Sequence, residues 1–540
     1  MSTNENQVFK EYATHLFKQL LELDPQKGSY LGLHEYDGKI PEVSEERISY
    51  EKSTYKDMLD RLKSIHRNEL SIENKYDYDV AEWGLNSVIF NLEEIQSYRT
   101  NPMTYAFMFG ELHNYISRDY APFEERIRSI ISVLSAIPEA LAGAEQLLEP
   151  RLPAVMCDFA ISFSKGYEDF FKGELLNLIE EKIESKELIE EYKLKSEDAI
   201  RAFDRYVKFL EVASDENCKS YILGQEKFNN MLSLTEHIEI PLNELRQMGL
   251  DELKRLQDSI EALAEEHKLE GSITKIEHEH PSDDTLVEET TDTLQELVDF
   301  IRNKDIVNLP EKLNCIVTEM PRYMNFGFAA MGTAGPFEKS DESFYYVNLP
   351  EKSWSEEKKE EWMTQFNYPT LKLISIHEAF PGHYTHFLNA NLYSTDLTKL
   401  FMSYSYVEGW AHYTEEMMIE QGYGGDDYKT KIGMYLEALI RCCRFIAAIG
   451  IHCDGMTIEE AKEFFLKNAY MAEVTAEQEA KRGAFDPGYL NYTLGKILLK
   501  QFKQKYFSRF GSSKSLKDFH DSIVSIGAPT FKIAEEWILN

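Results

Sequence analysis

The chain is poor in cysteine, in positive charge and in long apolar runs. Its six cysteines, Cys157, Cys218, Cys315, Cys442, Cys443 and Cys453, form no C-x-x-C pair and no dense framework. That excludes a disulfide scaffold and fits reduced thiols. No run of 18 apolar residues occurs, so no membrane-spanning helix is expected. The start, "MSTNENQVFKEYATHLFKQLLEL", lacks a basic stretch followed by an apolar one and reads as a polar tail entering an amphipathic helix. Basic residues number 58 against 94 acidic, a formal charge of −36, which argues against nucleic acid and anionic membranes as partners. The setting these features imply is the cytoplasm.

What is present is helical periodicity. "VFKEYATHLFKQLLEL" (8–23) sets Phe9, Tyr12, Leu16 and Leu20 on one stripe and stops at Asp24-Pro25. Segments 79–95, 122–148, 159–182, 196–213 and 241–267 follow the same pattern, the second interrupted at Pro138. The polar, acidic run 268–292 predicts a surface loop. Strands are predicted at 314–320 and 343–350, where β-branched and aromatic residues concentrate between turns. Helices resume over 368–380, 394–421, 428–450 and 457–480. The expected fold is therefore mostly α, a large helical body, two-lobed at most, with one small sheet. A helical N-terminal lobe (1–300) and a C-terminal lobe carrying the chemistry (301–540) would make one integrated unit, since no flexible linker separates them.

The chemistry concentrates in "HEAFPGHYTH" (377–386). It begins as the zinc-protease signature H-E-x-x-H, in which histidines four apart share one helix face and the glutamate takes a proton from metal-bound water. Here His377 and His383 lie six apart, about 240° around an unbroken helix. Pro381 and Gly382 stand between them, a proline that removes a backbone donor and a glycine tolerant of unusual dihedrals. A two-residue bulge there would bring His383 back to the face of His377. The alternative is a set of ordinary core histidines around a proline kink.

A third ligand is available in "YVEGWAHYTEEMM". Glu408 follows the mostly apolar run Tyr404–Val407, and a carboxylate buried there needs a partner. His412, one turn on, is either a ligand or a group holding Glu408. Glu415 and Glu416 are expected to be solvated or to orient the histidines from behind. An oxyanion donor would come from Tyr489 or Tyr492, after the turn "FDPG". The 344–348 strand could take an extended peptide by edge addition or serve simply as a core strand.

"HEAFPGH" followed by "EGWAHYTEE" resembles the H-E-A-x-P-G-H and E-G-W-A-x-Y-x-E signatures of the family filed as domain of unknown function 885. "SFYYVN", "LRQMGLDEL" and "FDPGYLNYTLGK" are similar to its outlying motifs, so the resemblance covers nearly the whole chain. That family is regarded as zinc metallopeptidases and is distantly similar to the helical gluzincins, such as thimet oligopeptidase and Taq-type carboxypeptidase. The resemblance implies a helical body with a deep cleft, one zinc ion per chain held by His377, His383 and Glu408, and Glu378 as general base. It favours Tyr492 over Tyr489. The family often carries a second histidine directly after P-G-H, where this chain has Tyr384, which favours His383 over His386 as ligand. The expected substrate is a short peptide. A non-peptide amide, or a helical binding protein that has lost turnover, are the alternatives. Oligomeric state is not legible.

Overall fold

Capping chemistry sets the helix boundaries of this mostly α protein. Asn4 accepts from the Asn6 amide to start the helix Glu5–Leu23, and Asp24 ends it while capping the next one, whose first residue is Pro25. The structure, a computed structural model, describes residues 4–110, 112–269, 278–321 and 327–540. These divide into two compact units. One runs to Ile222 and includes Ala334–Asp341; the other begins at Leu223 and holds the remainder, including the 377–386 cluster.

The first unit is built on the helix Phe123–Leu147, packed against Lys186–Ala213. Its stripe Ile127, Ile130, Leu134, Ile137, Leu141 is buried, and it passes through Pro138 without a break. The expected interruption does not occur, because the proline removes one backbone bond while the packed stripe continues on both sides. By length and composition this helix could cross a membrane, but half of its apolar window is buried inside the structure.

A polar knot closes the same unit. His34 Nδ1 meets Asp37 at 3.1 Å and Nε2 meets Glu338 at 3.0 Å, while Ser29 and Tyr120 donate to Asp37. Burial pulls the His34 pKa down, but its hydrogen bonds to both carboxylates, Asp37 and Glu338, outweigh it and hold it at about 9. A histidine raised in the folded state contributes stability that is complete below its ordinary value near 6.5 and lost as pH climbs through 9. The melting temperature is therefore expected to fall between pH 6.5 and 9, and His34→Gln to remove that slope.

In the second unit the helices Tyr404–Glu420 and Asn491–Phe510 pack at glycine contact. A Cβ on Gly495 would lie 2.0 Å from the Ser405 carbonyl oxygen, and one on Gly409 would lie 2.5 Å from Gly495. Below them the buried Lys496 binds Glu252 at 2.7 Å and Glu416 at 3.3 Å; Arg255 and Lys500 also pair with Glu416. Glu416 is thus buried and paired rather than solvated, because three cations on two other helices converge on it.

Beside the two-residue pairing of Leu152–Pro153 with Ser214–Asp215 in the first unit, the larger sheet has three strands in the order Cys315–Glu319, Ser343–Val347, Ala329–Gly332, the first pair parallel and the second antiparallel. Ser343–Val347 is central and mostly buried, so edge addition there is excluded; Cys315–Glu319 and Ala329–Gly332 hold the edges. Ala329–Gly332, between the two predicted strands, is a third strand and lies against the helix Tyr368–Glu378. Residues 270–277 of the expected acidic loop lie outside the described residues. The last part of that stretch is not loop: the helix Leu286–Lys304 starts inside it, its stripe disguised by Thr290, which occupies a buried position between Leu286 and Leu294.

Candidate metal centre

Two short helices supply the histidines. Asn367 caps the helix Tyr368–Glu378 by accepting from the Thr370 amide, and His377 and Glu378 occupy its last turn. The chain then leaves the helix. Phe380 and Ala379 both donate to the Ser375 carbonyl, Pro381 offers no donor, and Gly382 returns to the Ile376 carbonyl at 2.9 Å. Trp410 Nε1 pins the Pro381 carbonyl at 2.9 Å. A Cβ on Gly382 would lie 1.8 Å from the His377 carbonyl oxygen, so only glycine fits. His383 opens the next helix, His383–Tyr393. The expected bulge is in fact a break between two helices, with the same consequence: the two imidazoles stand perpendicular, 4.8 Å between centroids.

Glu408 comes from one turn inside the helix Tyr404–Glu420. That helix is capped from a distance: Glu236 accepts from Ser403 Oγ at 2.5 Å, Ser405 Oγ at 2.7 Å, and the amides of Tyr404 and Ser405. Glu408 Oε2 lies 3.3 Å from His377 Nε2 and 3.5 Å from His383 Nε2. The geometry is not that of hydrogen bonds, and this buried oxygen has no hydrogen-bond partner among the described residues. Ligands about 2.0–2.1 Å from a tetrahedral zinc are separated by about 3.3–3.4 Å. The spacing and the orphaned oxygen fit a metal ion, and the buried histidine–glutamate group could hold one. Glu378 also lies close: one donor atom each from His377, Glu378 and His383 fall within 4.8 Å of one another, and its side chain is half-buried, as is that of Glu408.

The surroundings fix charge and tautomer. Burial opposes ionisation of Glu408, yet the two imidazoles hold its carboxyl well below the usual range. Burial likewise lowers His377, but Glu408 and Glu415 outweigh it and raise the imidazole to about 9. His377 Nδ1 donates to Glu415 at 2.6 Å, which leaves Nε2 toward Glu408. Glu415 is buried; its other oxygen is 3.2 Å from His412 Nδ1, and Arg441 approaches at 3.3 Å. Glu415 therefore orients His377 from behind rather than facing solvent. A carboxylate behind a ligating histidine typically matters by about 10–100-fold in metal affinity. Glu415→Gln is expected to weaken metal binding on that scale, read by competition with a chromogenic chelator.

His412 holds Glu415, not Glu408, and burial pushes it down to about 3. His386 lies in the core, donating Nε2–H to the Gly527 carbonyl at 2.9 Å, with burial lowering it to about 4. Tyr492 stacks near His377, 6.3 Å between centroids, and its hydroxyl accepts from Arg482 at 3.3 Å. Tyr489 is wholly buried, its hydroxyl crowding the space beside Gly483. The structure thus gathers His377, Glu378, His383, Glu408 and Tyr492, and leaves Tyr489 and His386 in packing. Sequence reasoning missed Glu236, Arg441 and Arg482. Glu236 and Arg441 carry no local signal; Arg482, three residues before the turn "FDPG" (485–488), sits near a motif.

A family model described as "Bacterial protein of unknown function (DUF885)" matches residues 25–538. No curated protein matches the chain. Among solved structures, "a putative lipoprotein of unknown function" from Shewanella oneidensis is 24% identical with a TM-score of 0.81, covering 98% of this chain and 100% of its own. A "putative lipoprotein" from Colwellia psychrerythraea is 17% identical with a TM-score of 0.83, covering 99% and 98%. At these identities the likeness carries the fold. The descriptions of both neighbours overturn the cytoplasmic setting. Unpaired cysteines were a poor guide to compartment, because a chain with cores this large needs no disulfide on either side of a membrane.

Proposed function

The chain belongs to the DUF885 family, and we propose that its histidine–glutamate cluster is a zinc centre that hydrolyses peptide bonds in short peptides. The observation that carries this reading is Glu408 Oε2, buried without a hydrogen bond between two imidazole nitrogens at 3.3 and 3.5 Å. His377, His383 and Glu408 would hold the ion. Three protein ligands leave a position open, and a zinc ion there supplies an acidified water and a polarised carbonyl.

The rest is done by side chains. Glu378, half-buried and within 4.8 Å of the histidine donors, takes a proton from the attacking water. The water oxygen bonds to the carbonyl carbon, the C–N bond breaks, and Glu378 returns the proton to the leaving nitrogen. Tyr492 Oη, beside His377, donates to the carbonyl oxygen as it gains charge. Glu415 and Arg441 keep His377 in the tautomer that presents Nε2. Ala329–Gly332, an edge strand of the sheet, lies against the helix that carries His377 and Glu378.

Metal analysis tests this directly. Protein purified without added metal should hold about one zinc per chain, and chelation should remove the metal and peptide hydrolysis together. A metal-free protein indifferent to chelators would overturn the reading.

A further inference from the structure

Beyond the ligand set stands a guanidinium with unused capacity. Arg482 Nε and Nη2 both donate to one oxygen of Asp486, at 3.0 and 2.9 Å, and Nη2 also reaches the hydroxyls of Tyr404 at 3.1 Å and Tyr492 at 3.3 Å. Nη1 makes no hydrogen bond among the described residues, and the side chain is 28% exposed. Tyr492 accepts from Arg482, and its own proton has no acceptor among the described residues. Two donors are therefore unfilled on groups that touch each other. Arg444 binds Glu479 at 2.6 and 2.7 Å; Arg441 pairs with Glu437 and Glu415, and its one unpartnered nitrogen, Nε, is buried, whereas Arg482 is partly exposed. Asp486 fixes Arg482 edge-on and engages only Nε and Nη2, so the open Nη1 edge is held in place before any ligand arrives.

We propose that Arg482 binds the C-terminal carboxylate of the substrate, so that the enzyme removes single residues or dipeptides from peptide C-termini. The proposal rests on the peptidase reading and names its substrate class. The Tyr492 ring lies 6.3 Å from the His377 ring, and the Arg482 guanidinium carbon 5.6 Å from the Tyr492 ring. An extended chain advances about 3.3–3.6 Å per residue. A carbonyl held at the histidines thus leaves room for one or two residues before the carboxylate meets the guanidinium. Arginine suits this task, because it stays charged at every physiological pH and its open Nη1 carries two N–H donors.

The experiment uses pairs of peptides identical except for a C-terminal carboxylate or carboxamide. Wild type is expected to favour the free acid by about 10- to 100-fold in kcat/KM, the scale of a hydrogen bond to a charged group. Arg482→Met should erase that preference, mainly through KM on the acid, with metal content unchanged; Arg482→Lys should keep part of it. Equal cleavage of both peptides by wild type overturns the proposal and leaves the peptidase reading standing. A preference that survives in Arg482→Met also overturns it. Cleavage of neither peptide overturns both. The wild-type comparison decides even if the Met variant does not fold.

Discussion

Glu378→Gln is expected to lower kcat/KM by about 10²–10⁴-fold while leaving one metal bound, because it removes proton transfer and nothing else. The substitution keeps the shape of the side chain at the end of the helix Tyr368–Glu378 and replaces a group that can accept a proton with one that cannot. Both glutamates are half-buried, but Glu408 is the one whose Oε2 is itself buried without a hydrogen bond and sits at ligand spacing from both imidazoles. The two should separate cleanly. Glu408→Gln should lose metal and activity together, since an amide oxygen is a weaker zinc ligand and the two histidines lose their anionic partner. Metal content measured beside kcat/KM reads both variants. If Glu378→Gln lost the ion and Glu408→Gln kept it, the two roles would have to be exchanged.

The centre was legible where its signal was local. His377, Glu378 and His383 lie within seven residues, and Pro381-Gly382 announced that the chain must leave the helix between them. Glu408 was legible as a carboxylate in an apolar run. The supporting groups were not, because each acts across long stretches of chain: Glu236 caps a helix that begins 168 residues later at Tyr404, and Arg441 meets Glu415 from a different helix. The fold shows the same division. Helices with leucine and isoleucine stripes were readable, whereas Ala329–Gly332 is a strand only because Ser343–Val347 pairs with it; alanine and glycine carry little strand propensity. The expected helix 457–480 divides at Tyr470, whose φ of 56° ends Ile458–Ala469 and precedes Glu473–Phe485. Tyrosine gives no warning of that conformation. Residues 394–403 belong to the expected helix 394–421, but that helix begins only at Tyr404, where Ser403 and Glu236 supply the cap.

Gly382→Ala should do more damage than its single methyl group suggests. The backbone at Gly382 has a negative φ of −72°, so a left-handed conformation is not the cause. Space is. The added carbon would lie 1.8 Å from the His377 carbonyl oxygen and 2.4 Å from the His377 carbonyl carbon and the Ile376 oxygen, all backbone atoms of the helix that carries the first histidine. No side chain can rotate away, so the two segments must part, and the Gly382–Ile376 hydrogen bond at 2.9 Å is lost with them. Overpacking that side chains can absorb costs about 1–3 kcal/mol, and this contact belongs at or above the top of that range. The displacement acts directly on the separation of His377 from His383, so metal affinity should collapse along with the melting temperature. Gly166 provides the contrast: it lies inside the helix Ala154–Asp169, and a methyl group added there would have nothing within 4 Å. Gly166→Ala should therefore stabilise by about 0.5–1 kcal/mol through helix propensity. Thermal unfolding and metal titration of the two variants together would distinguish a general intolerance of Gly→Ala from the specific demand that two histidines six residues apart place on the residue between them.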